Sequence, residues 1–220
     1  MNPELIQQRL HYRFTDSSLL EAALTHRSFS GRRNNERLEF LGDALLNAII
    51  AQALYVTYPK ASEGELSRLR ATLVKGETLA SIAAELGLGD HLHLGIGEMK
   101  SGGHRRTSIL ADAFEAVLAA VYLDSNFDTC QNLIQRLFAT RFTSLPPVNE
   151  LKDPKTRLQE YLQARQQPLP VYTVKSMAGD PHERCFVIEC VIGDLVTHAS
   201  GSSRRKAEQE AARKALEHIQ

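Results

Sequence analysis

Asn35-Glu36-Arg37-Leu38-Glu39-Phe40-Leu41-Gly42-Asp43 opens a long apolar stretch in a chain of 220 residues. A helix turns about 100° per residue, so Glu36, Glu39 and Asp43 fall on one narrow face. Leu38, Leu41, Leu45 and Ile49 form the neighbouring apolar stripe, which puts acid beside the core. Carboxylates at helical spacing repel one another. Acids in a first helical turn suit the macrodipole, which would account for one Glu. Three of them on one face, next to a buried stripe, call for a divalent cation.

The pattern around this stretch is helical. Asn35 serves as the cap of a helix that runs to Tyr58, where Pro59 stops it. Upstream, Pro3 suits a first helical position, with Leu5, Ile6 and Leu10 as its apolar stripe. Asp16 caps a second helix through Leu24, and the loop Ser30–Asn34 follows, with Arg32 and Arg33 solvated. Downstream, Ser62-Glu63-Gly64-Glu65 has the form of a capping box and starts a helix through Leu66, Leu69 and Leu73. Residues 78–86 form a further amphipathic helix closed by Gly87, and residues 88–107 read as irregular. Gly95-x-Gly97 lacks the preceding strand and third glycine of a dinucleotide loop. His91-x-His93 lacks a third ligand and reads as ordinary loop histidine.

A second acid pair lies in Ser108-Ile109-Leu110-Ala111-Asp112-Ala113-Phe114-Glu115-Ala116-Val117-Leu118. This helix is apolar around most of its circumference and should be central. Asp112 and Glu115 interrupt it at i, i+3. A buried acid is costly unless paired or metal-bound. The alternative is salt bridges to Arg68, Arg70 or Arg105. A carboxylate-rich set without Cys or His suits Mg²⁺ or Mn²⁺ rather than zinc. Such sites hold phosphates and activate water. No Walker A motif is present, and His26 has no nucleophile elbow near it.

Net charge is zero, with 26 basic and 26 acidic residues, so global charge indicates no partner. The three cysteines are too few for a disulfide framework. Cys185 and Cys190, five residues apart in one strand, should point to opposite faces. The N-terminus shows no secretory pattern, and no apolar run approaches the ~18 residues of a spanning helix. The expectation is a soluble, cytoplasmic protein with no membrane contact.

Residues 144–149 carry two prolines and read as a boundary. Asp153 and Pro154 then cap and start a helix carrying Leu158, Tyr161 and Leu162 inward. The period switches to alternation at Val171–Val174 and again from Arg184 to Ile192. Gly193-Asp194 makes a hairpin turn, Leu195–Ala199 returns, and Gly201-Ser202-Ser203 caps a final helix with alanines at 207, 211, 212 and 215. Arg204, Arg205 and Lys206 stand at that helix's N-terminus, where the macrodipole disfavours cations. A solvated basic turn is the plain reading. A helix N-terminus with added cations is also a good phosphate site.

The stretch 35–43, together with Ala23-Leu24-Thr25-His26-Arg27-Ser28 and Ser108-Ile109-Leu110-Ala111-Asp112-x-x-Glu115-Ala116, resembles the ribonuclease III family in three motifs and in their order. The last 70 residues resemble the double-stranded-RNA-binding domain. The fold implied is an all-α endonuclease domain (1–145), a linker (146–152) and a small α+β domain of order α-β-β-β-α (153–220). The resemblance implies a homodimeric, Mg²⁺-dependent endoribonuclease for double-stranded RNA, with Mn²⁺ as a substitute. It would leave 5′-phosphate and 3′-hydroxyl ends with short 3′ overhangs and process ribosomal precursors and other structured RNAs. The metal-binding carboxylates would be Glu39, Asp43, Asp112 and Glu115, with Asp43 and Glu115 catalytic and Glu36 and Glu63 accessory. Phe40 would enter the dimer interface. Thr156, Gln159 and Glu160 would meet one minor groove and His182 the next, with Arg204, Arg205 and Lys206 on phosphates. Glu208 departs from the Lys common in such domains. The rival reading is a non-catalytic RNA-binding protein that keeps the nuclease fold, and the intact acid set argues against it.

Overall fold

The computed structural model describes residues 3–147, 152–179 and 184–219, in two compact units, Met1–Leu145 and Pro146–Gln220. The larger unit is built from α1 (Pro3–Leu10), α2 (Ser17–Ala23), α3 (Glu36–Thr57), α4 (Glu63–Leu73), α5 (Gly76–Glu85), α6 (Ile96–Lys100), α7 (Thr107–Asp124) and α8 (Phe127–Thr143). Residues 88–107, expected to be irregular, instead hold α6 and two 3₁₀ turns, Leu88–His91 and Gly103–Arg105. These pieces are too short to show a helical period in sequence.

The local start signals act as chemistry requires. Asp16 accepts from the Ser18 amide at 2.9 Å. Ser62 and Glu65 close their capping box, with the Ser62 amide donating to Glu65 Oε2 at 2.8 Å. Asn35 differs from expectation, because its side chain makes no cap bond. It is anchored through its backbone, where its amide donates to the Thr25 carbonyl and its carbonyl accepts from Glu39, both at 2.8 Å.

Central to this unit is α7, buried continuously from Ile109 to Val121 except at Asp112 and Glu115, which are half-buried. Around it stand α2, α3, α5 and α8. The core face of α3 is Gly42, Leu46, Ile49, Ile50 and Leu54. The stripe expected from sequence is rotated relative to this: Ile49 is buried as expected, but Leu38, Leu41 and Leu45 are only half-buried. The rotation puts Glu39 in line with the buried residues, at i, i+3 and i+7 to Gly42 and Leu46. By length and hydropathy α3 would also suffice to cross a bilayer, contrary to the expectation that no run approaches that length. Its buried face lies along α7 instead.

Gly42 sets the separation of these two helices. A Cβ at this position would lie 1.9 Å from the Glu115 carbonyl oxygen and 2.5 Å from its carbon. Neither atom can yield, because both belong to helical backbone.

The smaller unit holds α9 (Pro154–Ala164), β1 (Val171–Ala178), β2 (Cys185–Ile192), β3 (Leu195–Gly201) and α10 (Arg204–Ile219). The sheet is antiparallel in the order β1-β2-β3. β1 runs four residues beyond the expected Val174, after a bulge between Val174 and Ser176 that breaks the alternation used to find it. Gly193 takes a φ of +55° in the hairpin turn. Leu158, Leu162, Ile188, Cys190 and the α10 alanines form the core. Cys185 is exposed and Cys190 buried, so the two point to opposite faces. His182 and residues 148–151 of the expected linker lie outside the described residues.

Replacing Gly42 with Ala must push α3 from α7. Overpacking a filled contact costs about 1–3 kcal/mol, more where only backbone can move. Denaturant unfolding of Gly42→Ala should show at least about 2 kcal/mol of lost stability, and an unchanged midpoint would contradict the tight contact.

Candidate active site

Glu39, Asp112 and Glu115 bring carboxylate oxygens within 4.8 Å of one another. One comes from α3 and two from α7, at the level where Gly42 lets the helices touch. Asp43, one helical turn beyond Glu39, is exposed. The Asn47 amide holds its Oδ1 at 2.7 Å. Its charge reaches Glu115 nonetheless, and among the neighbouring carboxylates it acts on Glu115 most strongly.

Among the described residues, no cation forms an ion pair with Glu39, Asp112 or Glu115, so the bridges to Arg68, Arg70 or Arg105 that sequence left open are not made. Burial pushes Glu115 up to about 8, with Asp43, Asp112 and Glu39 adding to the shift. Burial also raises Glu39, with Asp112 and Glu36 behind it. Asp112 is raised by burial, against the opposing charges of His26 and Arg27. Half-buried carboxylates without an ion-pair partner cost stability, and all-oxygen donors suit a hard divalent cation. The residues present therefore fit such a metal, with Glu39, Asp112 and Glu115 as the tight group and Asp43 beside them.

A polar cleft of about 390 Å³ adjoins the acids, lined by His26, Arg27, Ser28, Asn35, Glu36, Glu39, Glu98, Arg106, Ser108, Ile109 and Asp112. The segment after α2 forms one wall. The His26 amide donates to the His93 carbonyl at 3.0 Å, and His93 donates back to Leu24 at 2.9 Å. Ser28 Oγ accepts from the Gly95 amide at 2.9 Å and lies 2.8 Å from His26 Nδ1. A Cβ on Gly95 would meet the Ser28 carbonyl at 2.4 Å, so this wall too depends on a missing side chain. Arg27 pairs with Glu36 at 3.4 Å and Arg106 with Glu98 at 2.6 Å. Composition and period single out none of His26, Arg27, Asn47 or Arg106. The 23–28 motif was the one signal for the first two.

The remaining candidates are dispersed. Glu36 lines this cleft. Glu63 lines a different one with Tyr55, Leu66 and Arg70, where it accepts from the Ser67 hydroxyl at 2.8 Å. Phe40 is 80% exposed on α3 and takes no part in the core of this unit. On α9, Gln159 and Glu160 are exposed, Glu160 pairs with Lys152 at 2.8 Å, and the Thr156 hydroxyl donates to Asp153 at 2.8 Å. Arg204, Arg205 and Lys206 are exposed at the start of α10.

Residues 16–142 match the family described as Ribonuclease-III-like, and residues 154–219 match the double-stranded RNA binding motif. The Ribonuclease 3 of Nitrosococcus oceani is 58% identical over 219 residues, covering 97% of this chain and 93% of that protein. The Ribonuclease 3 of Aliivibrio fischeri is 53% identical over 220 residues, covering 98% of each. The nuclease domain of ribonuclease III from Campylobacter jejuni superposes with a TM-score of 0.63 at 43% identity, covering 64% of this chain and 99% of that one. A region of that nuclease domain is involved in dimer formation.

The raised Glu115 carboxyl sets a pH dependence. A carboxyl raised from 4.5 to about 8 in the fold stabilises the protein in its protonated form, fully below about pH 4.5 and no longer above about 8. The melting temperature of metal-free protein should fall across that window, and less so in Glu115→Gln. Added Mg²⁺ should raise the melting temperature more above pH 8 than at pH 6, since binding displaces the proton. Parallel pH profiles for the two proteins would contradict the assignment.

Proposed function

The chain belongs to the ribonuclease III family, and on that footing we infer an endoribonuclease that hydrolyses phosphodiester bonds in double-stranded RNA. The observation that carries this reading is the convergence of Glu39, Asp112 and Glu115 on one point beside a cleft with Arg27 and Arg106 in its wall. The products are 5′-phosphate and 3′-hydroxyl ends with short 3′ overhangs. Ribosomal RNA precursors and other structured RNAs are the substrates, and the cytoplasm is the place of action.

Mg²⁺ is the cation proposed, with Mn²⁺ able to replace it, held by Glu39, Asp43, Asp112 and Glu115. When bound, such a cation supplies a water of lowered pKa and compensates charge on the departing 3′ oxygen. The chain's own residues do the rest. Glu115 releases its proton as the site fills. Asn47 keeps the Asp43 carboxylate directed while leaving it exposed. Arg27 and Arg106 each have a carboxylate partner at the cleft, Glu36 and Glu98, that phosphate oxygens can replace. The smaller unit adds duplex affinity through Gln159 and Thr156 on α9 and Arg205 and Lys206 on α10. Such domains follow A-form shape and 2′-hydroxyls.

The functional unit is a homodimer, which sets one acid cluster against each strand. Phe40, exposed on α3 within three residues of Asp43, is the anchor proposed for that seam. Glu36 and Glu63 are accessory acids on this reading, each already bonded within its own cleft.

Two outcomes test this reading. Glu115→Gln should lose cleavage of a long RNA duplex in Mg²⁺ by several orders of magnitude while retaining duplex binding, and turnover near wild type would refute the site. Phe40→Asp should sediment as a monomer at concentrations where the unaltered chain is dimeric. A dimer of undiminished stability would remove Phe40 from the seam.

A further inference from the structure

One end of the smaller unit gathers four cations: Lys155 on α9 and Arg204, Arg205 and Lys206 at the start of α10. Two of them already carry a counter-charge. Glu208 Oε2 accepts from Lys155 Nζ at 2.6 Å, and Glu208 Oε1 accepts from Arg204 Nε at 2.8 Å. The Glu208 side chain is only 10% exposed, whereas Arg204 is 64% and Lys155 35% exposed. One nearly buried carboxylate thus holds two cations that reach the surface. Lys155 Nζ also lies 4.6 Å from the centre of the Tyr172 ring, which fixes its direction. Arg205 and Lys206 make no ion pair among the described residues. The other nearby acid, Asp153, feels the charge of Arg205 but forms no ion pair with it; its oxygens are committed to the α9 cap, accepting from the amides of Lys155 and Thr156 and from the Thr156 hydroxyl. Burial works against ionisation of Glu208, yet the bonds from Lys155 and Arg204 hold its carboxyl below the usual range, so it is a full negative charge at neutral pH.

We propose that Glu208 is an internal counter-charge that removes Lys155 and Arg204 from the phosphate-binding set and so holds duplex affinity below what the row of basic residues implies. The inference rests on reading the smaller unit as the duplex-binding module. Its physical basis is counterion release. A phosphate that meets a free surface cation liberates mobile ions, and this drives binding and makes it salt-dependent. At Lys155 and Arg204 the counter-charge is part of the protein. A phosphate there must displace or share a carboxylate, and no ion is released. The helix start also contributes its dipole, and Glu208, one turn in, cancels part of that attraction as well. Arg205 and Lys206, which have no ion-pair partner among the described residues, remain as the cations that engage phosphate. Such tempering suits an enzyme that must let go of cut duplex before binding again.

The test measures binding of a short, perfectly paired RNA duplex by fluorescence anisotropy across a range of NaCl, in EDTA to prevent cleavage. It compares the full chain with Glu208→Gln, Arg204→Gln, Arg205→Gln and the double variant Glu208→Gln/Arg204→Gln. Each phosphate contact contributes roughly 0.9 to the slope of log K against log salt. Glu208→Gln should bind several-fold tighter near physiological salt, with a slope steeper by about one to two. Arg204→Gln should change the slope little in the otherwise unaltered chain but by about one in the Glu208→Gln background, whereas Arg205→Gln should lower it by about one on its own. A Glu208→Gln protein with a native melting curve and an unchanged or shallower slope would overturn the proposal. So would equal losses from Arg204→Gln and Arg205→Gln. The two arginines are exposed, so their contrast decides the matter even if Glu208→Gln does not fold. If the unaltered chain bound duplex without salt dependence, the duplex-binding reading itself would fall, and the proposal with it.

Discussion

Backbone contact between α3 and α7 is the constraint from which the rest of the larger unit follows. At Gly42 the two helices are so close that a single methyl group would overlap the Glu115 carbonyl. That contact brings Glu39 from one helix to Asp112 and Glu115 on the other. Two helices separated by ordinary side chains stand about 8–10 Å apart, and short acidic side chains reaching inward from both would then meet poorly. The glycine exchanges helix propensity for proximity, a loss of about 1 kcal/mol relative to Ala that the site's geometry justifies.

The same closeness creates an electrostatic debt. Glu39, Asp112 and Glu115 are all pushed upward chiefly by burial, Glu39 and Glu115 also by neighbouring carboxylates, and no cation of the described chain forms an ion pair with them. Continuous apolar packing along α7 on both sides of Asp112 and Glu115 is what holds such a cluster in place. Stability there comes from the alanines and large side chains, and the acids are carried at its expense. Strained titratable groups in a concave site are a recurrent mark of function.

The smaller unit solves the reverse problem. It gathers cations at a helix N-terminus, where the dipole opposes them. Glu208 relieves part of that strain by pairing with Arg204 and Lys155, tying α10 to α9 across the core. Arg205 and Lys206 stay exposed. Acid in excess on one unit and base in excess at the edge of the other are complementary requirements, one for a metal and one for a phosphate backbone.

Much of this was legible in the sequence. Helical period, the caps at Asp16, Ser62 and Asp153, and the switch to alternation after residue 170 are local properties, set by bonds within a few residues. The acids could be found because charge interrupting an apolar helix is conspicuous wherever it occurs. Other features needed the third dimension. Of the expected stripe only Ile49 lies on the core face of α3, which Gly42, Leu46 and Leu54 share in place of Leu38, Leu41 and Leu45, because α3 is apolar on more than one side and period alone cannot choose between sides. The short helices between residues 88 and 107 and the β1 bulge depend on contacts made elsewhere in the chain. Gly42 reads in sequence as a weak point in a helix, and only the α7 backbone opposite it shows why it is there. Placement of His26, Arg27 and Arg106 on one cleft, and the capture of two cations by Glu208, join residues from different elements. Sequence determines what each segment does with its neighbours along the chain. Which charges end up facing each other is decided by packing, since distance through space is set by the helices that touch and not by the count of residues between them.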